Sequence, residues 1–303
     1  MFKKKKKNRT IDSKEVGLEA GLMIFKFFLK TEYLHYGYFT DGLEADVSNL
    51  KKAQENYAEM LFGNIPEGTK TILDVGCGSG KTAQELISRG YKVDCVSPSQ
   101  ILTNYAKTLV GEDVSFYQCK FENMEQQQKY DLVLFSESFQ YIPMDQSIPK
   151  ALKLLNKNGH IMICDFFKND PEGKSLLGGG HQYEEWLQYK DAYSVKTLIE
   201  RDITRETAPT IDIVNQLSME VIKPIWTSVW ALAEDRFPGI IKLVKRKYSK
   251  KINKMENKHF TGQRTAENFL NYKKYMFYLF QTENQMINEK AGEPEKLALE
   301  VAE

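Results

Sequence analysis

The stretch T-I-L-D-V-G-C-G-S-G, residues 71–80, decides how this chain is read. Its first five residues are apolar or β-branched around a single acid, Asp74, the composition of a strand buried on both faces of a parallel sheet. Gly76, Gly78 and Gly80 follow at alternate positions. Glycine enters left-handed backbone freely and carries no side chain, so the chain can turn sharply off the strand while a ligand approaches its backbone. Residues 81–90, K-T-A-Q-E-L-I-S-R-G, then show a helical apolar period closed by a glycine stop. Strand, glycine loop and helix in this order predict a Rossmann-like cradle for an adenosine-bearing ligand.

Spacing separates the ligands such a cradle can take. A dinucleotide site needs G-x-G-x-x-G and an acid at the end of the next strand, but here the spacing is G-x-G-x-G and that end carries Ser97. A phosphate-binding P-loop needs G-x-x-x-x-G-K-[ST]. Gly80, Lys81 and Thr82 supply its end, whereas its first glycine position falls on Val75. The pattern L-D-V-G-C-G-S-G resembles the first motif of class I S-adenosylmethionine-dependent methyltransferases, an acid two residues ahead of G-x-G-x-G. The similarity runs from about residue 36 to residue 280. It implies an α/β fold: a Rossmann-like, doubly wound, mostly parallel seven-stranded sheet with an antiparallel last strand, plus a helical lid.

Composition narrows the remaining classes. The 303 residues hold 42 basic and 41 acidic side chains, a net charge of +1, which disfavours a surface that coats nucleic acid. No apolar run reaches membrane-spanning length and no secretory leader is recognisable, so a cytoplasmic location is expected. Cys77, Cys95, Cys119 and Cys164 lie far apart with no C-x-x-C pair. They read as reduced thiols, with neither a metal site nor a disulfide framework.

Along the chain, residues 1–12 form a basic tail, M-F-K-K-K-K-K-N-R at its start, expected to be disordered and open to contact with an anionic membrane surface. Residues 13–62 are read as a helical cap, 63–204 as the core and 205–268 as a helical lid insertion. The final strand of the core falls in 269–284, and 285–303 reads as a loose, charged end. Within the core, strands are expected at 92–96, 114–117, 130–135, 160–165, 195–203 and 272–281. Helices are expected at 101–110 and 147–156, the latter ended by K-N-G at 157–159.

The resemblance also implies a set of site residues. The backbone of Gly76, Cys77 and Gly78 would meet the methionine moiety of S-adenosylmethionine, and Asp74 would support the loop and the ammonium group. The family usually has an acid for the ribose and often another for the adenine. Here Ser97 and Lys120 occupy those places. These departures resemble the cyclopropane fatty acid synthases and mycolic acid methyltransferases, which implies Ser97 and Gln100 at the ribose, and Phe121 as the adenine wall with Glu122 beside it. Tyr33 to Phe39, Y-L-H-Y-G-Y-F, is similar to the aromatic stretch of that group and of the sterol and tocopherol methyltransferases. Tyr36 or Tyr38 would cover the sulfonium side of the cofactor, since a cation on a tyrosine face gains about 0.5–2 kcal/mol. Ser136, at the end of the fourth strand, joins the cofactor set.

On the acceptor side, F-S-E-S-F-Q-Y-I-P at 135–143 follows the fourth strand and would face the methyl group. Glu137 aligns with the carboxylate of the cyclopropane synthase pattern E-x-F-x-H, in which Tyr141 replaces the histidine. Glu137 or Tyr141 would orient the acceptor or take its proton, and His181, on a glycine-rich loop, is a further base. Phe25, Phe27, Phe28, Trp226 and Trp230 suggest a small apolar or amphipathic acceptor, such as a lipid, a polyketide-like chain or a phenol. The competing readings are a nucleic acid or protein methyltransferase and a non-catalytic binder of the same cofactor. The base-flipping N-P-P-Y loop is absent at 136–140, so no nucleic-acid partner is expected.

Overall fold

The computed structural model describes residues 13–282 apart from 41, 112, 126, 170–176 and 194. The basic tail and the 285–303 end therefore lie outside the described residues.

Seven strands form one sheet: β1 (Thr71–Val75), β2 (Lys92–Val96), β3 (Phe116–Tyr117), β4 (Tyr130–Ser136), β5 (Leu155–Lys168), β6 (Val195–Asp202) and β7 (Lys273–Thr282). Their spatial order is β3-β2-β1-β4-β5-β7-β6. Pairing is parallel from β3 through to β5, and β7 runs antiparallel to both β5 and β6. This is the doubly wound, mostly parallel sheet expected from the sequence. Chain order reverses direction between β1 and β4, so the crevice at their carboxyl ends is the topological switch point where such sheets take ligands.

Because both faces of the central strands are covered, their alternate residues enter separate cores. Ile72, Leu132, Leu134, Met162 and Phe277 pack on one face, with Tyr57 and Leu61 of α2 (Leu50–Phe62) and Ala83 and Leu86 of α3 (Lys81–Ser88). Leu73, Val133, Phe135, Ile163 and Tyr278 pack on the other, with Ala151 of α5 (Met144–Leu154) and Trp186 of α6 (Tyr183–Lys190). The remaining core helix, α4 (Gln100–Val110), is capped by the Ser99 hydroxyl, which accepts from Leu102 N at 3.3 Å. Gly80, at φ +84°, lies so close to this helix that a Cβ there would come within 2.7 Å of Ala106 Cβ.

Two expectations shift. The K-N-G at 157–159 does not precede the fifth strand but lies within it: the register moves from Tyr130↔Leu155 to Leu132↔His160, and Asn158 takes φ +61°. A turn signal here builds a bulge that lengthens the strand. The cap is only partly helical. α1 (Ser13–Ile24) and a π-turn over Phe25–Leu29 lead into residues 31–40, which belong to no helix or strand. Thr31, Tyr33, His35 and Phe39 point inward while the residues between them stay half-exposed, the period of a strand.

Between β6 and β7 the chain is helical: α7 (Thr204–Thr207), α8 (Pro209–Leu217), a π-turn over Ser218–Ile222, α9 (Lys223–Arg236), α10 (Pro238–His259) and α11 (Ala266–Tyr272). Ile211 of α8 and Phe269 of α11 enter the core. Neither α9 nor α10 buries a residue.

Candidate active site

The glycine loop leaves β1 with Gly76, Gly78 and Gly80 at φ +75°, +53° and +84°, the left-handed backbone that glycine alone takes readily. Gly76 N donates to Val96 O at 2.8 Å, which ties the loop to the end of β2, and a Cβ on Gly76 would strike Ser138 Cβ at 2.5 Å. At Gly78 the nearest atom to such a Cβ is Leu34 Cδ1, 3.6 Å away, so this is the open face of the cradle. The segment 31–40 runs over it: Ser79 Oγ donates to Glu32 O at 2.5 Å.

Asp74 gives the clearest sign of a missing partner. Its carboxyl is buried and its Oδ2 has no hydrogen-bond partner among the described residues, so burial pushes its pKa up to about 7. A buried, unsatisfied carboxylate oxygen beside a glycine loop fits the ammonium of an amino-acid ligand, and the cradle therefore suits S-adenosylmethionine. Cys77 is buried against Cys95, whose thiol pKa is raised by hydrogen bonding to Cys77 and by burial. Those are the surroundings of a packed thiol.

The other residues expected at the cofactor lie around this loop to varying degrees. Ser97 is buried where β2 ends, and its Oγ accepts from Ser99 N at 3.3 Å. Gln100 is exposed; its amide donates to Asn104 Oδ1 at 2.9 Å and accepts from Gln118. Phe121 is a core aromatic, edge-on to Phe135 with centroids 5.3 Å apart. Glu122 pairs with Lys120 at 3.6 Å. Ser136 Oγ is 3.3 Å from the Tyr57 hydroxyl. Tyr38 is half-buried and bonded through its backbone to Ala53 O at 2.7 Å. Tyr36 lies instead in an aromatic cluster, its ring 5.6–5.9 Å from Tyr275, Phe269 and Phe166.

That cluster surrounds Glu137. The residue continues the β4 ladder through its N–H to Cys164 O at 2.9 Å, then takes φ +54°, rare for a residue with a side chain. Its Oε1 accepts from Tyr36 N at 2.5 Å and from the Tyr275 hydroxyl at 2.7 Å. Burial pushes its carboxyl up to about 8, outweighing those two hydrogen bonds and helped by the negative charge of Asp165. Asp165 sits at the neighbouring position on β5, and burial raises it to about 7 although its oxygens accept from Gln140 N, Gln140 Nε2 and Phe166 N at 2.8–3.0 Å.

Tyr141 ends a 3-10 turn, Phe139–Tyr141, and stands out into solvent while Asp165 and Glu137 act on it electrostatically. His181 closes on the same turn, Nε2 lying 3.0 Å from Phe139 O. A carbonyl only accepts, so Nε2 is the donor of this hydrogen bond. His35, stacked on Tyr57 at 4.2 Å, is pushed down to about 4 by burial and stays neutral.

Sequence reasoning missed Tyr57, Gln140, Asp165 and Tyr275. Asp165 had a signal, a lone acid at the end of the apolar run I-M-I-C-D. Tyr275 had none, because the antiparallel pairing Phe166↔Tyr275 is what brings the start of β7 to this edge.

Comparison with known proteins agrees with this geometry. Residues 72–159 match the family described as "Methyltransferase domain". Over 189 residues the chain is 24% identical to a "Ubiquinone biosynthesis O-methyltransferase" of Nitrosomonas europaea, covering 57% of this chain and 79% of that protein. Among solved structures, the [4+2]-cyclase SpnF shares the fold at TM-score 0.63 and 13% identity, over 90% of this chain and 97% of the other. The cyclopropane synthase MmaA2 of Mycobacterium tuberculosis shares it at TM-score 0.60 and 16% identity, over 91% and 100%. The glycine loop, the strand order and the match of residues 72–159 agree: this part of the chain is a methyltransferase domain, and the chain resembles the class I S-adenosylmethionine-dependent methyltransferases.

Proposed function

We propose that this protein transfers a methyl group from S-adenosylmethionine to a small apolar or amphipathic acceptor, a lipid, a polyketide-like chain or a phenol. The observation that carries this reading is Glu137, a carboxyl in left-handed backbone at the switch point, set among aromatic rings and bonded, among the described residues, through Oε1. The bound cofactor supplies an electrophilic methyl group on its sulfonium. Asp74 and the backbone of Gly76 to Gly78 would hold it, with Ser97 beyond them towards the ribose.

The chain's own residues then have three tasks. The rings of Tyr36, Phe166, Phe269 and Tyr275 exclude water and give an apolar acceptor its surface. Tyr275 OH and Tyr36 N fix the Glu137 carboxyl by occupying Oε1, which leaves Oε2 to orient the acceptor. With a carboxyl pKa of about 8, Glu137 can take a proton from an acceptor hydroxyl near neutral pH. The His181 ring and the Tyr141 hydroxyl are further polar groups on this side that can orient an acceptor.

Incubation with methyl-labelled S-adenosylmethionine and a fractionated cell extract tests the reading. Label is expected in solvent-extractable small molecules, identified by mass spectrometry. Label confined to RNA or protein, or cofactor bound with no label transferred from it, would overturn the proposal.

A further inference from the structure

The α9–α10 hairpin is held together by its own side chains and, among the described residues, buries none of them. Trp226 Nε1 donates to Glu256 Oε1 at 2.8 Å, Trp226 and Trp230 meet edge-on at 5.4 Å, and Lys245 lies over the Trp230 ring at 5.2 Å. These contacts define the seam between the two helices. Beside it, Ile222 of the π-turn and Ile225, Val229 and Leu232 of α9 follow one another at three- and four-residue spacing and form one exposed stripe. At the turn, Phe237, Ile240 and Leu243 are 57%, 64% and 67% exposed.

The charge on α10 is equally one-sided. The helix carries seven lysines and Arg246 against a single acid, Glu256. On a helical projection Ile240 and Leu243 continue into Lys247, Lys250 and Lys254, so one face is apolar at the tip and basic behind it. At about 1.5 Å per residue, those lysines follow Leu243 by about 6–17 Å, a distance that matches apolar residues seated about 5–10 Å deep with ammonium groups at the phosphate level. A second copy of the chain would set one basic helix against another, and a nucleic acid would leave the apolar tip in water. No helix among the described residues is long and apolar enough to cross a membrane, so the fit is to a surface.

We propose that the α9–α10 hairpin is a membrane-docking element whose apolar tip enters the headgroup layer of an anionic bilayer while the lysines of α10 contact its phosphates. The assignment holds whichever acceptor is methylated.

Co-sedimentation of the full chain with vesicles tests it, comparing mixed phosphatidylglycerol and phosphatidylcholine with phosphatidylcholine alone. Binding is expected to the anionic vesicles and to weaken with added salt. The double variant Ile240→Ser, Leu243→Ser should lower partitioning at least about tenfold. The triple variant Lys247→Glu, Lys250→Glu, Lys254→Glu should lower it at least about a hundredfold. All five side chains are solvent-exposed, so circular dichroism should show unchanged melting. Replacing Lys3 to Lys7 by glutamine separates the basic amino terminus from the hairpin, and most of the binding should survive it. Hairpin variants that bind like the wild type, or binding abolished only by the Lys3 to Lys7 change, would overturn the proposal. So would a lipid-free dimer that the Ile240→Ser, Leu243→Ser variant abolishes, or a preference for RNA over anionic vesicles.

Discussion

The two sides of the crevice between β1 and β4 are built by different means. On the β1 side the backbone does the work: three glycines at positive φ, a tie from Gly76 to Val96, and one buried carboxyl whose Oδ2 has no partner among the described residues. On the β4 side the work falls to side chains gathered from distant parts of the sequence, with Glu137 held by Tyr36 from the amino-terminal segment and Tyr275 from the last strand. A backbone-defined cradle suits a ligand common to a whole family. A side-chain-defined wall can change its acceptor without disturbing the cradle.

This contrast can be broken by mutation. The largest separation is expected from Glu137→Gln, which should lower kcat about a hundredfold with cofactor affinity unchanged, read by label transfer and calorimetry. A parallel loss of cofactor binding would join the two sides into one site. Gly80→Ala should instead cost about 2 kcal/mol or more of stability, seen as a lower Tm, because φ is +84° and the new Cβ would meet Ala106. Asp74→Asn should weaken cofactor affinity about tenfold and leave the fold intact. Tyr275→Phe should reduce turnover about fivefold, since it removes one hydrogen bond to Glu137 and keeps the ring.

The raised carboxyls add a test in pH, and the sign differs with and without ligand. In the free protein Asp74, Asp165 and Glu137 hold their protons more tightly folded than unfolded. Their contribution to stability is therefore complete below the ordinary carboxylate range and is lost as pH rises to about 8, so Tm should fall across that window. Cofactor binding runs the other way at Asp74: the ammonium prefers the ionised carboxylate, so affinity should rise as pH climbs through about 7. Asp74→Asn should flatten that rise.

The same contrast explains how much was legible in the sequence. Residues 71–80 encode their own geometry, because left-handed backbone needs glycine and the strand needs apolar residues, and both are local. Glu137 was legible as an acid just past a strand. Its partners were not, because Tyr275 reaches it only through the antiparallel pairing of β7 with β5. Phe121, expected at the adenine, is packed edge-on in the core, and an aromatic at a strand end looks alike in either role. The helical character of 205–268 followed from periodicity, but periodicity does not say what an apolar stripe faces. α8 and α11 turn theirs to the core, and α9 presents its own to solvent.

The central claim is that the loop after β1 holds S-adenosylmethionine. Titration calorimetry of the wild type and of Gly78→Val tests it most directly, since a Cβ at Gly78 has 3.6 Å of room, and the strain of a β-branched residue in left-handed backbone is read separately as a lower Tm. The expected result is one cofactor bound per wild-type chain and none detectable on a Gly78→Val protein that still melts cooperatively. Unchanged affinity in Gly78→Val would contradict the account.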